Sequence, residues 1–113
     1  MIIGVLKEIK DNEKRVALSP SGAAELVNAG HVVLIESNAA KDVGYDNDAY
    51  LAVGAKITEN ADELFAKADL VVKVKEPQPE EISKFIEKQI LFSYLHLAAE
   101  EELTRTLIKK NIE

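Results

Sequence analysis

Short apolar runs rich in Val and Ile alternate with helical segments along almost the whole chain. These runs predict five β-strands, Ile2–Leu6, His31–Glu36, Ala55–Thr58, Asp69–Lys75 and Gln89–His96. Strands that alternate with helices imply right-handed crossovers and a mainly parallel sheet covered on both faces. The alternation therefore predicts an α/β fold of about five βα units, Rossmann-like or flavodoxin-like.

The segments between the predicted strands carry helix signals. Ser19 supplies an N-cap, and Gly30 stands where a left-handed residue ends a helix. Asn60 and Glu63 resemble a capping box ahead of another helix. A last helix is predicted over about residues 98–111.

The composition restricts the functional class. In 113 residues the chain has 47% hydrophobic and 30% charged residues, no cysteine and a net charge of −6. These values fit one ordinary core and exclude a disulfide scaffold, a thiol nucleophile and a cysteine-based zinc site. The acidic balance disfavours nucleic-acid binding, and no apolar run approaches the ~20 residues of a transmembrane helix. We expect a cytoplasmic domain that binds neither nucleic acid nor a membrane and, without metal-ligand spacing, no metal.

Polar residues follow the predicted strands at their carboxyl ends, where open parallel sheets bind ligands. Arg15 lies in the loop after the first strand, Lys75 ends the fourth, and Tyr94 and His96 lie in the fifth. Two cations, a phenol and an imidazole at one edge suit a small carboxylate substrate whose neighbouring atom exchanges a proton. Plainer interpretations stay open: a solvated arginine, a snorkelling lysine, a core tyrosine and a structural histidine.

Missing motifs narrow the choice further. The glycines never form a G-x-G, so the dinucleotide fingerprint is absent from the sequence, and so is a Walker-type phosphate loop. A phosphoacceptor receiver domain has a similar length and βα order. It needs an acidic pair after the first strand, an acceptor aspartate after the third and a lysine after the fifth. This class is disfavoured, because the corresponding positions are Lys7-Glu8, Thr58-Glu59-Asn60 and His96.

Several stretches together resemble a known family. They are Met1–Lys10, Asn12–Pro20, Gly30–Val33, Val72–Pro77 and Tyr94–Ala98, in matching order and spacing across essentially the whole chain. On these residues the sequence resembles the N-terminal domain of alanine dehydrogenases, in the family that they share with pyridine nucleotide transhydrogenases. The tetrapeptide Tyr94-Leu95-His96-Leu97 favours the alanine dehydrogenase branch, since the resembling transhydrogenase domain lacks this pattern and has no substrate carbonyl to protonate.

The resemblance implies roles for individual residues. Arg15 stands where the family's arginine holds the pyruvate carboxylate, and Lys75 stands where its lysine contacts the carboxylate and carbonyl. His96 stands at the position of the proposed acid/base. Tyr94 and Glu8 flank this site as supporting residues.

The resemblance also implies a function and a domain organisation. Residues 1–113 would form the substrate-binding domain of an NAD-dependent L-alanine dehydrogenase, which interconverts L-alanine with pyruvate and ammonium. The nucleotide-binding domain is absent from this truncated length, so we expect NAD in the complete enzyme, none on this chain alone, and no turnover by the chain alone.

Further expectations follow from the same resemblance. A sheet without its completing segment exposes an edge or an apolar patch, which predicts self-association into a homo-oligomer. Residues 37–45 depart from the glycine-rich turn usual in the family, which puts nearby subunit contacts in doubt. Two alternatives stay open: the nucleotide-binding subunit of a proton-translocating transhydrogenase, and a noncatalytic binding module that has kept the fold.

Overall fold

A computed structural model describes residues 1–9, 15–75 and 77–93 of the chain. The strands are β1 (Ile2–Val5), β2 (Val32–Glu36), β3 (Lys56–Thr58), β4 (Leu70–Val72) and β5 (Ile90–Phe92). The helices are α1 (Pro20–Asn28), α2 (Asn47–Leu51), α3 (Ala61–Lys67) and α4 (Pro79–Ile82), with a 3₁₀ turn over Lys41–Val43. The predicted helix over 98–111 lies outside the described residues.

The five strands form one parallel sheet in the order β3-β2-β1-β4-β5. Val5 is level with Ile35 on one side and with Val72 on the other, so the carboxyl ends of the central strands meet at one edge. After β1 the chain adds β2 and β3 on one side of β1, and it then crosses over to add β4 and β5 on the other side. The direction of strand addition thus reverses between β1 and β4, and this gap is the topological switch point. The predicted α/β fold with a mainly parallel sheet is confirmed.

Local sequence signals set the helix ends. Ser19 Oγ accepts a hydrogen bond from the Gly22 amide at 3.2 Å, as expected of an N-cap, and Gly30 adopts a left-handed φ of 94° after α1. Asn60 Oδ1 likewise accepts from the Glu63 amide at 2.9 Å at the start of α3. The return bond differs from a capping box, since Glu63 accepts from the amide of residue 59 at 3.2 Å.

The sheet separates two layers of the core. On the α1 face, buried residues of β1 and β2 pack with α1 and with Tyr50 of α2. On the α3 face, Leu34 and Val71 pack against Leu64 and Phe65 of α3. The α3 helix lies very close to β1, because a Cβ built on Gly4 would stand 2.5 Å from Leu64 Cδ2. Helices therefore pack on both faces of the sheet, and a site is expected at the ends of the strands.

Candidate functional site

A cleft of about 490 Å³ opens at the carboxyl edge of the sheet, beside the switch point. Val72 and Val74 line it from the end of β4, and Phe92 lines it from the end of β5. Tyr45 and Arg15 complete other parts of the lining. The cleft is therefore an apolar recess with a fixed cation, which suits a small anion that carries an apolar group.

Contacts with α1, α2 and the core hold the loop that carries Arg15 in place. The Tyr50 hydroxyl donates a hydrogen bond to the Leu18 carbonyl at 2.7 Å, and Ser19 caps α1 directly after it. Burial raises the pKa of Tyr50 to about 12, so this hydroxyl stays a donor over the physiological range. Val16 packs against the core of the α1 face. Arg15 is exposed, but the segment beside it is anchored to both α1 and α2.

Glu8 joins the two strands that flank the switch point. Its Oε1 accepts hydrogen bonds from Lys73 Nζ at 3.0 Å and from the Lys75 amide at 3.1 Å. Its Oε2 accepts from the Val74 amide at 3.1 Å. We call these three bonds the Glu8 clamp. The fourth strand was predicted to continue to Lys75, but it ends at Val72. Beyond Val72 the amides of Val74 and Lys75 donate to the Glu8 carboxylate, instead of to carbonyl groups of a neighbouring strand.

Lys73 is shared between two carboxylates. Its ammonium lies 3.0 Å from Glu8 and 3.3 Å from Glu81 of α4, and the three side chains are 0%, 2% and 4% exposed, respectively. Burial raises the pKa of Glu81 above its ordinary value of 4.5, and the Lys73 ammonium opposes this shift. Glu81 also accepts the Gln78 amide at 2.8 Å, within the first turn of its own helix. The charges are thus paired and hydrogen-bonded, as burial demands.

The sequence profile of the alanine dehydrogenase/PNT N-terminal domain matches residues 4–113. The chain belongs to this family. It is 49% identical to the alanine dehydrogenase of Bacillus subtilis over 112 residues, which are 99% of this chain and 29% of the relative.

Solved structures agree with this assignment. An L-alanine dehydrogenase matches with a TM-score of 0.96 and 46% identity, over 99% of this chain and 31% of that one. A transhydrogenase from Sinorhizobium meliloti matches with a TM-score of 0.92 and 25% identity, over 99% and 33%. The chain therefore spans about 30% of the length of the family members it resembles. The resemblance given by the sequence is confirmed, and identity is higher to the alanine dehydrogenase branch.

The residues predicted for the family's substrate site have different places in the structure. Arg15 lines the cleft, and the loop 73–75 contributes Lys73 and Val74 to the same lining. Lys75 is half-buried, with its main chain held by Glu8 at this edge. Tyr94 and His96 lie outside the described residues. The structure thus brings Arg15 and the Lys75 loop to one cleft, and the role of each residue stays a prediction.

Sequence reasoning missed Lys73 and Glu81 and treated Glu8 as a supporting residue only. A signal for Lys73 was available, because side chains two positions apart in a strand share a face. Val71 is buried on the α3 face, so Lys73 had to enter the same layer and needed a buried acid. For Glu81, the sequence Pro79-Glu80-Glu81 is typical of acids that complement the dipole in the first turn of a helix, which explains its position but not its burial.

The described residues do not fit NAD. The connection after β1 lacks the glycine pattern that lets a pyrophosphate approach the main chain. At the end of β2, where an acidic residue would bind a ribose, Glu36 instead accepts the Lys7 amide at 2.9 Å. Burial raises the pKa of Glu36, with the Lys7 bond opposing the shift.

In the part of the chain that the structure describes, no group of three acidic or histidine side chains is placed to hold a metal. Nor do residues 1–9, 15–75 and 77–93 contain a helix with the length and hydropathy to cross a bilayer.

Proposed function

We propose that residues 1–113 are the substrate-binding domain of an NAD-dependent L-alanine dehydrogenase, which interconverts L-alanine with pyruvate and ammonium. The observation that carries this proposal is the cleft itself, where Arg15 and the loop of Lys75 meet at the switch point of a chain in this family. The hydride is exchanged with NAD, and the described residues do not fit NAD. The cofactor is therefore expected on the rest of the enzyme, and this chain supplies the substrate side.

The chemistry of the site follows from its side chains. The Arg15 guanidinium can hold both oxygens of the pyruvate carboxylate, since its planar fork matches that group. The Lys75 ammonium is assigned to the substrate carboxylate and carbonyl oxygen, where it stabilises negative charge. The apolar lining, including Val72 and Phe92, takes the methyl group and reduces the access of water.

The proton step is assigned to His96. A histidine has an unperturbed pKa of about 6.5, so it can give a proton to the substrate oxygen and take it back near neutral pH. Tyr94 and Glu8 keep their supporting roles. In an active enzyme, His96→Ala should lower turnover far more than it weakens pyruvate binding, and an unchanged rate would remove His96 from this role.

A binding experiment on the 113-residue chain tests the substrate site. Pyruvate is titrated while NMR follows the amides around Arg15 and Lys75 and the ring of His96. We expect saturable shifts confined to these groups, even at millimolar affinity. Acetone, which keeps the methyl and carbonyl groups but lacks the carboxylate, is the matched control and should cause no saturable shift. Shifts spread over the surface, or equal responses to both compounds, would contradict the proposed site.

A chimeric enzyme tests the reaction. This chain replaces the matching 112 residues of the Bacillus subtilis alanine dehydrogenase, which is 49% identical over that length. We expect alanine-dependent reduction of NAD. A chimera that folds and binds NAD but has no activity toward alanine would favour the noncatalytic alternative.

The transhydrogenase alternative is weaker, because identity falls from 46% to 25% between the two solved structures. A cytoplasmic location and a homo-oligomeric state stay predictions. Light scattering at high concentration checks the second, and a strictly monomeric chain would contradict it.

A further inference from the structure

We propose that Glu8 is a positioning residue for the substrate site, whose carboxylate fixes the main chain at Val74 and Lys75 and thereby places the Lys75 ammonium at the cleft. The inference rests on the proposed function, in which Lys75 binds the substrate. It assigns to Glu8 no contact with the substrate.

The side chain at position 8 must act only as a hydrogen-bond acceptor. Its three bonds come from the Lys73 ammonium and from the amides of Val74 and Lys75, and all three groups are donors. A carboxylate has two oxygens and no donor, so it satisfies every partner. The amide of a glutamine has the same shape but must turn its NH₂ toward at least one of these donors. The site therefore requires a charged glutamate, rather than any polar side chain of that size.

The clamp acts at the point where the sheet no longer holds the loop by itself. β4 ends at Val72, and on the β5 side the Lys73 amide donates to the Phe92 carbonyl at 3.0 Å. On the β1 side, the next two amides both go to Glu8. The loop that leads to Lys75 is thus held from both neighbouring strands, although it makes no strand itself. Loss of the Glu8 bonds would free the β1 side of this loop.

Glu81 offers a matched control. It shares the Lys73 ammonium with Glu8 and is buried to a similar degree. Glu81 accepts the Gln78 amide in α4, whereas the amides of Val74 and Lys75 both donate to Glu8. A substitution at Glu81 therefore removes a charge from the same buried cluster without opening the clamp.

The test compares Glu8→Gln with Glu81→Gln in the 113-residue chain. Pyruvate affinity and the amide shifts of Val74 and Lys75 are measured by NMR, and thermal unfolding is followed in parallel. We expect Glu8→Gln to weaken pyruvate binding about tenfold or more, and Glu81→Gln to change it less than about twofold, even where both lower the unfolding temperature. A purely structural role would move the unfolding temperature and leave the affinity of the folded chain unchanged.

A second variant covers the case in which Glu8→Gln does not fold. Glu8→Asp keeps the negative charge beside Lys73 but withdraws the oxygens by one methylene, away from the two amides. We expect a folded chain with weakened pyruvate binding. Either variant, folded and binding pyruvate like the unmodified chain, overturns the proposal.

A third measurement needs no variant. If the clamped loop binds pyruvate better than the open loop does, pyruvate must in return favour the clamped loop. Amide hydrogen exchange at Val74 and Lys75 should then slow in the presence of pyruvate, relative to the amide of Val33 in β2. Equal rates with and without pyruvate would overturn the proposal. A chain that binds no pyruvate at all would instead contradict the proposed function, so the two failures are distinguishable.

Discussion

The two faces of the sheet treat charge in opposite ways at the same carboxyl edge. On the α1 face the edge opens into an apolar cleft, and its cation, Arg15, lies exposed to solvent. On the α3 face the edge is closed over Glu8, Lys73 and Glu81, whose side chains are at most 4% exposed. Charge therefore serves two purposes at this edge of the sheet. The exposed cation can meet a substrate, whereas the buried charges hold the backbone of the loop that carries Lys75.

Removal of the Lys73 ammonium should have the largest effect on stability, because it leaves the buried carboxylates of the α3 face unpaired. Lys73→Met leaves two buried carboxylates without their cation, which should lower the free energy of unfolding by about 3–5 kcal/mol. Urea unfolding measures the loss. Lys67→Met is the control, since Lys67 pairs with Glu63 on an exposed helix surface and should cost far less. Equal losses at Lys73 and Lys67 would show that burial of the cluster does not matter.

Substitution of the exposed cation should affect binding rather than folding. Arg15→Gln should weaken pyruvate binding at least about tenfold, equivalent to about 1.4 kcal/mol. Its free energy of unfolding should change by less than about 0.5 kcal/mol, because Arg15 is exposed. Calorimetric unfolding and NMR titration give the two values. Arg15→Lys keeps the charge without the planar fork and should fall between the two chains. A large loss of stability in Arg15→Gln would remove the contrast between the faces.

Loss of the Tyr50 hydroxyl should have a smaller effect on the same cleft. Tyr50→Phe leaves the Leu18 carbonyl without its 2.7 Å donor, which should lower the free energy of unfolding by about 1–2 kcal/mol. Pyruvate binding should weaken by a smaller factor than in Arg15→Gln, because the loop loses an anchor but keeps its guanidinium. Urea unfolding and the same titration check both parts. Unchanged binding would show that the α1 cap and the packing of Val16 are enough to hold the loop.

The pH dependence of stability should show the smallest effect. The raised pKa of Glu81 means that, as the pH rises from 4.5, the unfolded chain loses this proton before the folded chain does. Stability from this group therefore falls between 4.5 and the folded pKa, and is level outside that interval. Glu81→Gln removes the fall, so its stability relative to the unmodified chain should increase as the pH rises through the interval. Urea unfolding at several pH values tests this, and a difference that shrinks with rising pH would contradict the assignment.

The fold was largely predictable because its signals are local. Alternating Val and Ile runs located all five strands, and Ser19 and Gly30 marked the ends of α1. The end of β4 was predicted wrongly, since it depends on hydrogen bonds from Val74 and Lys75 to Glu8, which lies 66 and 67 residues earlier in the sequence. No periodicity in the residues around Lys75 reports such a bond.

The candidate site was predictable in part for the same reason. The rule that ligands bind at strand ends selected Arg15 and Lys75, and the structure places Arg15 and the Lys75 loop at one edge. The buried cluster was missed, because a lysine and two glutamates read as surface residues until the tertiary structure puts them together. Composition ranks residues by their average environment, whereas a paired buried charge is an exception to that average.

The Glu8 clamp also determines the stage of folding at which the site can form. Its bonds connect the end of the first strand to residues 66 and 67 positions later, so they can form only after β4 has docked beside β1. Contacts between such distant segments form slowly, because the intervening chain must first be ordered. The cleft is therefore a late product of folding, and a chain in which β4 has not yet docked has Arg15 but lacks Val72 and Val74 in the cleft lining. During synthesis, affinity for a small carboxylate should appear in one step with the completed sheet.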